Sequence, residues 1–251
     1  MSGSNMTKIK GMKRILSYIT IVSASVLFFS CVEEMEQVYE DPKEEKIFYA
    51  SVDNKDSLMT KTVISQNPDD GKYQLHWLQE DCIGISSGNN TVEKFVNIST
   101  ENGKSAIFKG SIATSSVYYA VYPYKEGMKM SSKKFTVEIP PVQPYAEKTF
   151  APEVCPMAGK SDSDSRIYFN NLCGVLVINL TGSEKIRSIS FSGKDVSGVP
   201  LQISGEFTVD MNYSDAPTLV STENSTSLVT VKCENPVALN ESTPTQFHFV
   251  L

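Results

Sequence analysis

From residue 47 onward, apolar and polar side chains alternate in period two, the spacing that sends successive side chains to opposite faces of a β-strand. Phe48, Ala50 and Val52 share one face, as do Tyr73, Leu75 and Trp77, then Ile83 and Ile85, then Val117, Tyr119 and Val121, then Phe135, Val137 and Ile139. Gly174-Val175-Leu176-Val177-Ile178 is apolar on both faces, the pattern of a strand covered from both sides. Turn-forming clusters separate the runs: Asn67-Pro68-Asp69-Asp70-Gly71, Ser87-Gly88-Asn89-Asn90, Glu101-Asn102-Gly103, Lys125-Glu126-Gly127 and Ser161-Asp162-Ser163-Asp164. No i, i+3, i+4 repeat is sustained past the first thirty residues, so the pattern predicts an all-β sandwich with little helix. Pro140, Pro141 and Pro144 cannot donate ladder hydrogen bonds, and the stretch around Gln143 is expected to leave the sheet as an extended crossover.

A second series of alternations follows Thr181-Gly182. Ile189 and Phe191 share a face, as do Phe207, Val209 and Met211, then Val229, Val231 and Cys233, then Phe247, Phe249 and Leu251. About four strands in residues 185–251 are few for a closed sandwich. A half-built sheet leaves N–H and C=O groups unpaired along an edge, which invites another strand. The C-terminal region is therefore expected to be either truncated or completed by a partner.

The N-terminal segment follows a different rule. Lys8, Lys10, Lys13 and Arg14 precede an apolar run from Ile15 to Phe29, and no acidic residue occurs before Cys31. A basic head followed by a run too short to span a bilayer predicts a secretory signal peptide, residues 1–30. Ser30-Cys31 at its end resembles the lipobox of bacterial lipoproteins, which implies cleavage between Ser30 and Cys31 and acylation of the Cys31 thiol. Phe28 and Phe29 depart from that pattern. Behind Cys31 the chain turns acidic and polar as far as Lys46, with Pro42 inside, and this composition predicts a lipidated acidic tether over residues 31–46. The predicted organisation is completed by a β-sandwich over 47–184 and a C-terminal β domain over 185–251.

Charge narrows the partners. The chain carries 23 basic and 29 acidic side chains, and without the four basic ones of the signal segment 19 face 29, a net charge of −10. That balance repels phosphate backbones and excludes nucleic acid as a partner. Apart from Cys31, the cysteines are Cys82, Cys155, Cys173 and Cys233, which allow three pairings. Cys82 and Cys173 sit in apolar strand patterns, which favours buried free thiols, although an exported chain permits bridges. His76 and His248 each alternate with apolar neighbours, and no Cys or His pair has zinc spacing, so no metal site is expected. Asp69-Asp70 and Asp162 with Asp164 read as acidic turns rather than calcium loops. Nucleophile elbows, phosphate loops and dinucleotide fingerprints are missing, and the sequence predicts neither catalysis nor a cofactor.

The order of motifs carries a resemblance. Lys61-Thr62 opens a strand; Trp77 precedes Asp81-Cys82-Ile83-Gly84-Ile85; then come Ala106-Ile107-Phe108-Lys109-Gly110, Tyr119-Ala120-Val121-Tyr122-Pro123-Tyr124 and Ile139-Pro140-Pro141-Val142-Gln143. Pro156-Met157-Ala158, Phe169-Asn170-Asn171-Leu172-Cys173-Gly174-Val175-Leu176, Ile186-Arg187-Ser188-Ile189 and Phe247-His248-Phe249-Val250-Leu251 follow. In this order the chain resembles the fimbrillin-like (Mfa-like) lipoproteins of Gram-negative anaerobes, from about residue 47 to the end. The resemblance implies a transthyretin-like, Greek-key N-terminal sandwich, a second sandwich after it, delivery to the outer membrane by a lipid anchor, and assembly with other fimbrial subunits by β-strand donation. Glu33 and Glu34 resemble the surface-export signal of such lipoproteins.

Stalk subunits of that family lose their first strand to an arginine-specific protease, whereas here no arginine lies between Arg14 and Arg166. Only Lys43, Lys46, Lys55 and Lys61 could serve a trypsin-like cut in that region. An anchoring or accessory subunit that keeps its lipid is the resulting expectation. The alternative is a glycan-binding surface lipoprotein that presents Tyr118, Tyr119, Tyr122 and Tyr124 to a host or glycan ligand.

Overall fold

The computed structural model describes residues 42–52, 64–66, 73–162, 165–214 and 216–251, and these form nineteen strands and no helix. In chain order the strands are β1 (Lys43–Val52), β2 (Ile64–Gln66), β3 (Tyr73–Leu75), β4 (Cys82–Ser86), β5 (Glu93–Asn97), β6 (Ser105–Ala113), β7 (Val117–Tyr122), β8 (Met130–Ser131), β9 (Lys134–Ile139) and β10 (Val142–Ala146). They continue with β11 (Thr149–Phe150), β12 (Met157–Asp162), β13 (Arg166–Asn171), β14 (Val175–Leu180), β15 (Lys185–Ser192), β16 (Ser204–Asp210), β17 (Thr218–Thr226), β18 (Leu228–Ala238) and β19 (Thr245–Val250). The chain is all-β, as the alternation predicts.

Seven strands close on themselves in the order β1-β13-β12-β7-β4-β5-β6. Six of the pairings are antiparallel and one, β1 with β13, is parallel. Closure removes every free edge from this part of the molecule. Along β1 the alternation sends Phe48 and Ala50 inward while Ile47 and Tyr49 stay exposed. The interior is aromatic: Trp77 meets Phe108, Tyr122 and Phe169 edge-on at centroid distances of 5.1, 5.5 and 5.3 Å, and Phe48 meets Phe95 and Tyr118 at 5.5 and 5.0 Å. Edge-to-face contacts of this kind add about 0.5–1.5 kcal/mol each to the area buried. Trp77 belongs to no strand. A single bridge to Gly103, with N–H to carbonyl distances of 2.7 and 3.2 Å in the two directions, holds it over the aromatic core.

The remaining strands form a four-stranded sheet β17-β16-β9-β8, a second one β11-β10-β18-β15, the ribbon β14-β19 and the pair β2-β3. Phe135, Val137 and Ile139 of β9 and Phe207 and Val209 of β16 pack into one cluster with Tyr119 and Val121 of β7 and Ala158 of β12. The outer face of the barrel is thus as buried as its interior along β7. Tyr118, Ala120 and Tyr122 point into the barrel, Tyr119 and Val121 point away from it, and all five are buried.

Several sequence expectations are corrected by pairing that no local pattern encodes. Lys43–Lys46, assigned to the tether, lies in β1 and pairs with Gly110–Ala113 of β6, because a partner strand supplies the hydrogen bonds that composition alone could not. Pro140-Pro141 does carry the chain from one sheet to another, but the crossover ends there: Val142–Ala146 joins a sheet parallel to β18. The Pro141 carbonyl accepts from the Thr230 N–H at 2.8 Å, so residues 141, 143 and 145 face β18 and the missing N–H of Pro144 falls on the opposite side. The C-terminal strands are not a half-built domain of their own. β9 pairs with β16, β10 with β18 and β14 with β19, so the sheets cross the 184/185 boundary, and residues 41–251 form one compact unit. β14, read as covered on both faces, is only half-buried, and β19 is its single neighbour among the described strands.

Candidate strand-docking edge

β14 is where the sheet architecture stops short. Its ladder to β19 begins at Gly174 and Leu251, which exchange both backbone hydrogen bonds at 3.0 Å. Antiparallel pairing alternates, so Leu176, Ile178 and Leu180 turn their N–H and C=O groups to β19, and Val175, Val177 and Asn179 turn theirs to the outer edge. No described strand pairs with that edge.

The other side of the ribbon is closed by a side chain. Gln143, buried in β10, donates its amide N–H to the Val250 carbonyl at 2.8 Å and accepts the Val250 N–H at 3.0 Å. One primary amide thus reproduces both hydrogen bonds of a strand neighbour. The β19 side is locked at Val250, while the β14 side is not.

Side chains follow the same asymmetry. Phe247 and Phe249 of β19 are fully buried with Val229 and Val231 of β18. Leu176, Ile178 and Leu180 of β14, with Ile186, Ile189 and Phe191 of β15, pack against this cluster yet remain only partly buried. The barrel cluster around Trp77 has no such half-covered apolar rim among the described residues. An uncovered apolar margin beside a row of outward backbone groups is the combination an incoming strand uses, with main-chain hydrogen bonds for affinity and alternate side-chain pockets for specificity.

Lys43 and Lys46, two of the predicted cleavage sites, lie in β1. There Lys43 pairs with Glu93 at 2.8 Å, and Lys46 stands 5.9 Å above the Tyr118 ring. β1 is held by β6 along Lys43–Ser51 and by β13 along Tyr49–Val52. Ser30, Cys31, Glu33, Glu34, Lys55 and Lys61 lie outside the described residues, as do Asp69, Asp70 and Asp164. The tyrosine platform does not form, since Tyr118, Tyr119 and Tyr122 are buried and Tyr124, half-buried, lies under the Lys94 ammonium at 5.8 Å. Exposed tyrosines of the barrel are Tyr49 and Tyr168 instead.

His248 is buried in β19, where desolvation holds its pKa below the usual histidine value. His76 is half-buried. Cys82, Cys155, Cys173 and Cys233 are free thiols, Cys155 and Cys233 buried and Cys82 and Cys173 partly buried. No group of three His, Cys, Asp or Glu side chains among the described residues is placed to hold a metal ion.

Two structural polar residues escaped the sequence reading. Asp81, quoted only as part of a motif, is buried and accepts from the Tyr122 hydroxyl at 2.9 Å and the Leu78 N–H at 2.6 Å. Gln143 was assigned to a crossover, although an amide flanked by three prolines, in backbone short of donors, was a signal that its side chain does the pairing. Comparison with protein-family models, with curated proteins and with solved structures gives no match.

Proposed function

We propose that this chain is a surface-exposed outer-membrane lipoprotein of the fimbrillin-like type, acting as subunit, anchor or accessory protein in fimbria assembly and cell adhesion through β-strand complementation. The observation that carries the reading is the outer edge of β14, with the backbone groups of Val175, Val177 and Asn179 turned outward beside a half-covered apolar core. The partner is another fimbrial subunit offering an extended segment with apolar side chains at every second position. β1 keeps the barrel shut: its Phe48 and Ala50 fill the core, and no arginine precedes it closer than Arg14 to invite its removal. In this role acylated Cys31 holds the chain on the membrane, with Glu33 and Glu34 directing it to the outer surface.

Proline scanning tests the edge. Val177→Pro removes a donor that faces outward and leaves the rungs at Leu176 and Ile178 intact, so the variant folds with a melting temperature close to the parent's but no longer co-purifies with the fimbrial polymer. Ile178→Pro breaks a rung to β19 and lowers stability outright. Co-purification undiminished in Val177→Pro would remove the edge from consideration. For the anchor, Cys31→Ala releases the protein from membranes into the soluble fraction, and continued membrane retention would refute acylation.

A further inference from the structure

Met157 and Asn171 are opposed in the antiparallel ladder of β12 and β13, and Ala158 faces Asn170 in the same register. The ladder runs past the named strands, because the Leu172 N–H donates to the Pro156 carbonyl at 3.1 Å. One step further, this register sets Cys155 opposite Cys173. Residues opposed across antiparallel strands have Cα atoms about 4.5–5.5 Å apart. Disulfides span Cα separations of about 4.4–6.8 Å. Both side chains pack into the cluster built around Phe135, Phe150 and Val154, having left the face that Met157 and Phe169 turn into the barrel. Cys155 is the neighbouring side chain that, after burial, acts most on the Cys173 thiol. Cys82 and Cys233 have no such arrangement: Cys82 lies in β4 and Cys233 in β18, strands of different sheets.

We infer that Cys155 and Cys173 form a cross-strand disulfide when the chain folds in an oxidising compartment. The chemistry is thiol–disulfide exchange with a dithiol–disulfide oxidant. One cysteine thiolate attacks the oxidant's disulfide and releases one thiolate; the second cysteine attacks the resulting mixed disulfide and releases the other. Two protein thiols lose two protons and two electrons, and the oxidant's disulfide becomes two thiols. Burial and the neighbouring Cys155 hold the Cys173 thiol well above its usual pKa, so the thiolate is scarce in the folded chain and the bond forms as β12 and β13 come together. The bridge fixes the residue before Gly174, the first rung of the β14–β19 ribbon, and so ties the start of that ribbon to the barrel. The inference rests on the ladder geometry and is independent of the fimbrial reading.

Peptide mapping decides it. Trypsin cuts after Lys148, Lys160, Arg166 and Lys185, which places Cys155 and Cys173 on separate peptides with one cysteine each. The full chain, refolded in a mixture of reduced and oxidised glutathione, alkylated and digested without reductant, yields these two peptides joined. Both peptides recovered alkylated, or either one joined to the Cys82 or Cys233 peptide, would overturn the assignment. Thermal unfolding supplies a second readout: reductant lowers the melting temperature of the oxidised parent by several degrees and leaves Cys173→Ser unmoved, whereas equal response of parent and variant would refute the bridge.

Discussion

At the scale of single residues, Asp81 carries its carboxylate into a barrel lined by aromatic rings, where the Tyr122 hydroxyl and the Leu78 N–H meet it and offset the cost of burial. The tyrosine is fixed in turn by its edge-on contact with Trp77, and burial together with the Asp81 charge pushes its phenol far above the usual range. Tyr122→Phe keeps the ring and deletes a donor to a buried acceptor, so we expect a loss of about 1–3 kcal/mol in urea unfolding; an unchanged midpoint would separate Asp81 from the stability of the barrel. Gly84, in the same motif, has a local reason of its own: a Cβ there would come within 2.6 Å of a Val92 methyl. His248 sets a pH dependence. Its pKa is lowered on folding from 6.5, so the folded chain binds fewer protons; stability is complete above that value and falls as pH drops below it. Urea midpoints at pH 7.5 and 5.5 should differ in that sense for the parent and by less for His248→Gln. An equal difference in both proteins would assign the dependence to other groups.

At the scale of elements, alternation was sufficient to place most strands and insufficient to place their neighbours. Phe48 with Ala50, Ile83 with Ile85, and Phe135 with Val137 and Ile139 occur on the buried faces of β1, β4 and β9, as period two requires. β17 was not legible, because Thr218–Thr226 is mostly Thr, Ser, Asn and Glu on the outer edge of its sheet, where no buried face imposes a pattern. β10 was misread for the opposite reason. Its prolines forbid an ordinary central strand, and only the position of β18 reveals that Pro144 points its missing donor away from the ladder. Gln143 completes that element by capping Val250. Gln143→Ala leaves the Val250 N–H and C=O unpaired in a buried site, which we expect to cost about 2–4 kcal/mol, counting about 1–3 for each abandoned group with partial recovery by water. Hydrogen exchange at the Val250 amide provides the check: it should accelerate in the variant, and unaltered protection would show that another contact closes this side.

At the scale of the whole molecule, the two runs of alternation suggested two domains in sequence, and the sheets interleave them instead. β8–β11 lie between barrel strands in the chain yet pair among themselves and with β16 and β18, while β7 lends its outer face to their core. Unfolding either half exposes the core of the other, so a single cooperative transition is expected, with circular dichroism and Trp77 fluorescence superimposing. Two resolved transitions would restore independent domains. The same interleaving leaves β14 with one neighbour among the described strands, which is why the candidate docking edge was invisible to local pattern: Gly174–Ile178 has the composition of a covered strand, and whether another strand pairs with it is a property of the sheet.

The sequence by itself determined what period two and side-chain chemistry can encode. These are an all-β chain, the inward faces of most of its strands and a net acidic balance. Tertiary structure alone decided which strands meet. It closed the barrel through β1, turned Gln143 into a strand neighbour and left β14 with one neighbour among the described strands. The physical reason is that backbone hydrogen bonds between strands are chemically alike at every residue, so their partners are chosen by how the apolar faces of distant segments pack together.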